Sequence, residues 1–228
     1  MKLVAIQGSP RGMIGHTGIL LNTLLDAAKQ EGAETELFLL NDKTILPCNG
    51  CIEICHTKGK CFREDDFEKM ENAMLEADGI ILASPNYSLS VTAHMKAFLD
   101  RCVLLHHCQR LNGKYTAFVI TGGGSDPEVV ENYLKDVIFQ SWGCWYLGCV
   151  TTVQAQMEDP DEQKDVLASA TALGKRMVTA IENKETIPEQ AEDIKQCFEM
   201  FKYMSIMLKD SWPVPWEYWN THEDLSEL

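Results

Sequence analysis

The chain has 228 residues, of which 45% are hydrophobic and 24% charged, with a net charge of −14 and nine cysteines. That length supports one domain with an extension and a sizeable core. The acidic balance argues against a nucleic-acid partner, whose affinity rests on basic phosphate contacts, and no apolar run is long enough to span a bilayer. The opening MKLVAIQGSP has too short an apolar stretch for a secretory leader. The expectation is a cytoplasmic protein with no membrane and no nucleic-acid partner.

Residues 2–7 (KLVAIQ) read as a short buried strand stopped by Gly8-Ser9-Pro10. A helix is expected over 17–31, with Leu21, Leu24, Leu25 and Ala28 on one stripe and Gly32 after its end. Residues 34–40 alternate like a strand, and 65–77 read as a helix with Asp65 and Asp66 as caps. The run GIILA (79–83) is a strand of the doubly buried, parallel kind. The loop SPNYS follows, then a helix over 91–105, with Met95, Phe98, Leu99 and Cys102 at helical spacing.

Residues 115–121 form another strand, ended by Gly122-Gly123-Gly124. A helix at 127–140, a strand at 144–152 and a helix at 160–183 complete the series. Strand and helix alternate five times, which predicts a doubly wound α/β domain with a five-stranded parallel sheet over 1–184. Residues 185–228 stand outside that series as a helical extension with an aromatic tail (SWPVPWEYW) and an acidic end. Three tryptophans in that tail are costly to expose. Two expectations stand for it: an arm onto a partner subunit that walls the site, or packing on its own chain.

In such sheets ligands sit at the carboxyl ends of the strands. Three loops belong there: Gly8–Thr17, Ser84–Ser88 and Thr121–Ser125. The first carries Gly8, Gly12, Gly15 and, just past it, Gly18, with Ser9, Arg11, His16 and Thr17. Small residues let backbone N–H groups face an anion at a helix N-terminus, and the hydroxyls and Arg11 add donors. That is a site for a phosphate monoester.

A nucleotide P-loop would need a Lys where His16 stands, and a dinucleotide fingerprint needs G-x-G where this chain has Gly8-Ser9-Pro10. A tyrosine-phosphatase signature, C-x5-R, is not present in the sequence. FMN remains. No Ser–His–Asp, Cys–His or paired-carboxylate constellation competes with a flavin as the chemical centre.

The segments GSPRGMIGHTG, ASPNYS and TGGG together resemble the NADPH-dependent FMN reductase group of the flavodoxin-like superfamily, over roughly residues 1–180. The resemblance implies that Ser9, Arg11, Thr17 and His16, with Gly18 at the loop's end, hold the FMN phosphate. It implies that Pro85, Asn86, Tyr87 and Ser88 flank the isoalloxazine, and that Thr121, Gly122, Gly123 and Gly124 line its pyrimidine edge. It also implies NAD(P)H as co-substrate and a homodimer or homotetramer.

Four cysteines fall in one connection, Cys48-x2-Cys51-x3-Cys55-x5-Cys61. Closely spaced thiolates are the ligand pattern of an iron–sulfur cluster. Zinc, a redox disulfide at Cys48 and Cys51, or cysteines that bind nothing are the rival readings. The stretch PCNGCIEICHTKGKCFREDD resembles the iron–sulfur flavoprotein family, which has two residues between its second and third cysteines where this chain has Ile52-Glu53-Ile54. That resemblance implies a [4Fe–4S] cluster passing electrons between a ferredoxin-like protein and FMN. Cys102, Cys108, Cys144, Cys149 and Cys197 read as core, His106-His107 as a helix end, and Glu158 to Glu162 as a solvated helix start.

Three functions follow: an FMN-dependent oxidoreductase passing electrons from NAD(P)H to a small acceptor such as a flavin or quinone, an iron–sulfur flavoprotein relay, or a flavin- or zinc-binding regulatory module without turnover.

Overall fold

The computed structural model describes residues 1–124 and 126–222. Ser125, at the end of the third loop, and the acidic end at 223–228 lie outside the described residues. Five strands, β1 (Lys2–Gln7), β2 (Glu34–Leu39), β3 (Gly79–Pro85), β4 (Tyr115–Gly122) and β5 (Trp145–Val153), form one sheet in the order β2-β1-β3-β4-β5. Every pairing is parallel. This is the flavodoxin-like order, whose switch point falls between β1 and β3.

The apolar runs explain the layers. Strands β1, β3 and β4 are buried on both faces, and so read as continuous hydrophobic segments. One face is covered by α1 (His16–Gln30), where Leu20, Leu21, Leu24, Leu25 and Ala28 pack with Leu173 and Met177 from farther along the chain. In chain order the other elements are α2 (Ile52–Lys58), α3 (Phe67–Glu76), α4 (Ala93–Leu99), α5 (Val103–His107) and α6 (Pro127–Trp142). They are followed by α7 (Gln154–Glu158) and α8 (Pro160–Glu182), the helix that carries Leu173 and Met177. The opposite face buries Met70 and Met74 of α3, Met95 and Phe98 of α4, and Val130 and Leu134 of α6.

Three local expectations change. The helix expected over 91–105 breaks into α4 and α5, because Arg101 and Cys102 donate to the carbonyls of Phe98 and Leu99 in a tighter turn. The cysteine connection, expected as loop, contains α2. Of the two expected caps, Asp65 accepts from the Phe67 amide (3.1 Å), whereas Asp66 turns back to accept from the Thr44 amide (2.8 Å).

The extension forms two helices, α9 (Pro188–Met207) and α10 (Pro213–Thr221). Gln190 in α9 bonds both the amide (2.9 Å) and the carbonyl (2.8 Å) of Tyr146, so it blunts the open edge of β5 as a neighbouring strand would. The tail packs on its own chain. Trp219 is 2% exposed, wedged edge-on against Phe198, and its indole N–H donates to the His107 carbonyl at 2.9 Å. Trp219 is held by this contact, and Trp212 by the one described below.

Candidate functional site

The carboxyl ends of β1, β3 and β4 open into a solvent-facing cleft of about 140 Å³. Ser9, Arg11, Gly15, His16, Thr17, Pro85, Asn86, Tyr87, Thr121, Gly122, Gly123 and Gln154 line it. Among the described residues the lining holds Arg11 and His16 and no carboxylate, on a chain whose net charge is −14. The cleft thus sets cationic side chains into an acidic protein.

The loop from Gly8 to Thr17 is held from beneath. Buried Gln7 donates to the Gly12 carbonyl (2.7 Å) and accepts from the Ser9 amide (2.9 Å). Gly12 lies at φ +55, a backbone region open to glycine. Helix α1 then begins at Gly15 with no side chain capping it and no acid in its first turn. Its first N–H groups lack intrahelical acceptors by geometry, and the positive end of its dipole points into the cleft. Gly18 sits behind the loop, where a Cβ would meet the Met13 Cα at 2.4 Å.

The three loops are tied together. The hydroxyls of Thr17 and Thr121 are 2.7 Å apart, so one donates to the other and the second keeps its hydrogen for a further acceptor. Thr92 donates to the Gly8 carbonyl (2.7 Å) and caps α4 through the Met95 amide. The Asn86 amide donates to the Thr121 carbonyl at 2.7 Å. Tyr87 and Ser90 pair across a two-residue turn in which Ser88 and Leu89 both have positive φ, 54 and 63. That turn leaves Tyr87 half exposed at the cleft wall.

Ten of the thirteen residues expected at the cofactor site therefore line one cleft. Gly18, Ser88 and Gly124 do not: Gly18 is packed behind the loop, Ser88 is in the turn beyond Tyr87, and Gly124 is open on every side. Two lining residues were missed. Gly15 lay within the expected loop without a role, and Gln154 gave no motif; its place just past the carboxyl end of β5 was its signal.

The four cysteines lie in and around α2. Cys48 is exposed, Cys51 and Cys61 are half-buried, and Cys55 is buried. Burial pushes the Cys55 thiol up to about 11, with Cys61, Cys51 and Cys48 each adding to the shift, so the four sulfurs share one neighbourhood. Among the described residues no group of three or more His, Cys, Asp or Glu side chains is arranged to hold a metal ion. The donor set nevertheless suits a sulfur-bound anionic group, because Arg101, a near neighbour of Cys61, keeps buried Nε and Nη2 without a partner, and so does His56, next to Cys55 in the chain, at Nδ1.

His56, beside Cys55, is fully buried and meets His107 Nδ1 through its Nε2 at 2.7 Å. Burial, then the neighbouring His107, pushes His56 down to about 4, so the pair is neutral at pH 7. The indole of Trp212 covers both rings, 4.1 Å from His56 and 4.7 Å from His107 between centroids.

The family model described as NADPH-dependent FMN reductase matches residues 1–158. An iron–sulfur flavoprotein of Archaeoglobus fulgidus is 33% identical over 226 residues, covering 96% of this chain and 97% of that protein. An iron–sulfur flavoprotein of Methanocaldococcus jannaschii is 42% identical over 135 residues, covering 58% of this chain and 69% of that one. The solved structure of an FMN-dependent NADH-azoreductase from Bacillus anthracis, in complex with FMN, shares the fold at a TM-score of 0.58 and 14% identity, over 78% of this chain and 100% of that one. With a flavodoxin-like sheet, a cleft at its switch point and a four-cysteine connection after β2, the chain belongs to the NADPH-dependent FMN reductase family and stands with its iron–sulfur flavoproteins.

Proposed function

We propose that the chain is an FMN-dependent oxidoreductase that takes electrons from NAD(P)H or a ferredoxin-like donor and passes them to a small acceptor such as a flavin or quinone. The observation that carries this reading is the cleft itself: an uncapped helix N-terminus, Arg11 and two glycine-bearing loops meeting at one sheet edge. In this reading Ser9, Arg11, His16 and Thr17 hold the phosphate, with the Gly18 amide in the first turn of α1. Pro85, Asn86 and Tyr87 form the wall beside the ring, and Thr121, Gly122 and Gly123 face its polar edge.

FMN, when bound, supplies hydride and one-electron chemistry. The protein supplies position. Backbone amides at Gly122 and Gly123 are suited to donate toward negative charge, and the Thr17–Thr121 pair fixes the distance between the two ends of the site. Tyr87 narrows the open side against water. Ile14, Tyr87 and Leu89 stand exposed on the loops around the cleft, which favours a homodimer or homotetramer that covers them.

A second reading, favoured by the three thiols that neighbour Cys55 and by the buried Arg101 N–H groups left without a partner, adds a [4Fe–4S] cluster on Cys48, Cys51, Cys55 and Cys61 and makes the protein an electron relay. Anaerobic visible spectroscopy with iron and acid-labile sulfide assays separates the two. Flavin bands with NAD(P)H oxidation and no iron support the first reading alone, and flavin bands with stoichiometric iron and sulfide support the second. Protein that refuses FMN refutes both. Arg11→Ala should weaken FMN binding about tenfold or more, since a charge-assisted phosphate contact is worth roughly 1.5–3 kcal/mol.

A further inference from the structure

The four-cysteine segment is closed at its neck by one cation. Arg101 comes from the tight turn between α4 and α5, and its side chain is 1% exposed, as is that of Asp65. Its Nη1 donates to Asp65 Oδ2 (2.5 Å) and to the Leu46 carbonyl (3.2 Å). Asp65 in turn accepts from the Leu46 amide at 2.9 Å. Leu46 precedes Cys48 and Asp65 follows Cys61, so this ring of bonds clamps both ends of the cysteine segment.

The clamp uses only part of the guanidinium. Nε and Nη2 are buried with no hydrogen-bond partner, one face of the group is covered by the Phe67 ring at 4.5 Å, and the Cys61 sulfur is a near neighbour that favours the charged guanidinium. A guanidinium is planar and offers five donors in a fixed fork. Buried donors left unmade are costly, and a lysine would close the same neck without leaving two. Sulfur at Cys61 is the acceptor at hand.

We infer that Arg101 is a positioning residue of the four-cysteine site, giving its open guanidinium N–H groups to sulfur at Cys61 while it clamps the segment through Asp65 and Leu46. This rests on the second reading above, in which the cysteines hold an iron–sulfur cluster. Hydrogen bonds and charge next to cluster sulfurs set both retention and reduction potential. A cation here favours the more negative, reduced cluster.

The test uses full-length protein, reconstituted anaerobically with iron and sulfide, as wild type, Arg101→Met, Arg101→Lys and Asp65→Asn. Iron and sulfide retained under chelator challenge, the cluster's midpoint potential, FMN content and apoprotein unfolding are measured on each. Arg101→Met should hold the cluster about 10–100-fold less tightly and at a lower potential, with Arg101→Lys between it and wild type. Asp65→Asn leaves the Arg101 charge uncompensated and should move the potential upward. Opposite signs distinguish a tuning cation from a mere scaffold. If Arg101→Met does not fold, judged by lost FMN, Arg101→Lys against Asp65→Asn carries the comparison.

Wild-type retention and potential in the Arg101 variants, or shifts of the same sign in both Arg101 and Asp65 variants, overturn the inference alone. Wild-type protein that binds FMN yet takes up neither iron nor sulfide overturns it together with the cluster reading.

Discussion

The Trp212 indole lies flat on the His107 imidazole, with centroids 4.7 Å apart and planes 12° from parallel. His107 is joined to His56, and His56 follows Cys55. The residue that covers the cysteine helix thus comes from the far end of the chain. Val214 of α10 extends the cover to within 3.6 Å of where a Gly59 Cβ would stand. Trp212→Ala should cost about 1–3 kcal/mol, less than for a fully buried indole because Trp212 keeps some exposure. Amide exchange should show lost protection confined to Ile52–Lys58 and α10. Equal loss across β1, β3 and β4 would contradict this local role.

Gly18 and Gly174 are both close-approach glycines, with different neighbours. At Gly18 a Cβ would stand 2.4 Å from the Met13 Cα, in the backbone of the phosphate loop. At Gly174 it would stand 2.3 Å from the Leu24 carbonyl, where α8 crosses α1. Gly18→Ala should weaken FMN binding about tenfold or more, because the loop must move. Gly174→Ala should lower stability by about 2 kcal/mol or more through overpacking while leaving FMN affinity within about twofold. Calorimetric FMN titration and urea unfolding of the two variants check the separation.

Leu89 holds φ 63 in the turn beside the cleft. A bulky side chain there is strained, at a cost of order 1 kcal/mol. Leu89→Gly should therefore raise stability by about 0.5–1 kcal/mol in apoprotein. It should also loosen the wall that carries Tyr87, so FMN dissociates faster in stopped-flow displacement. An unchanged or lowered melting temperature would show that the turn bears no strain.

His106 packs edge-on to Trp142 at 5.9 Å. Burial, then the neighbouring His107, pushes its imidazole down to about 4 from an ordinary 6.5. The unfolded chain therefore binds the extra proton between these values. Stability is complete above pH 6.5 and falls as pH drops toward 4, by about 2–3 kcal/mol at most from this group, since the ring retains some contact with water. His106→Phe should flatten the stability profile over that window in urea titrations, and an identical slope would exclude His106 as its source.

The sheet and the cleft were legible because their signals are local. Strands β1, β3 and β4 are buried on both faces and so are written as unbroken apolar runs; glycines mark the ends of β1 and β4, and Pro85 that of β3. The break after Leu99 was hidden because Met95, Phe98 and Cys102 stay buried at helical spacing, while Arg101 turns inward to Asp65. Helix α10 was hidden by Pro213 and Pro215, which read as breakers but occupy the first turn, where no amide hydrogen is needed. Gln154 and Arg101 reach their sites through tertiary structure, from elements distant in sequence, and no short motif carries that information.

The cover that α10 places over α2 has a consequence in time. Chains fold from the N-terminus as they are made, and the thiols between 48 and 61 emerge long before the helix at Pro213–Thr221 that walls them. The nascent protein therefore passes through a stage with its sheet complete and its cysteine site open on one side. Until the last helix is released, buried Cys55 can be approached from that side, whereas Cys48 stays exposed in the finished fold.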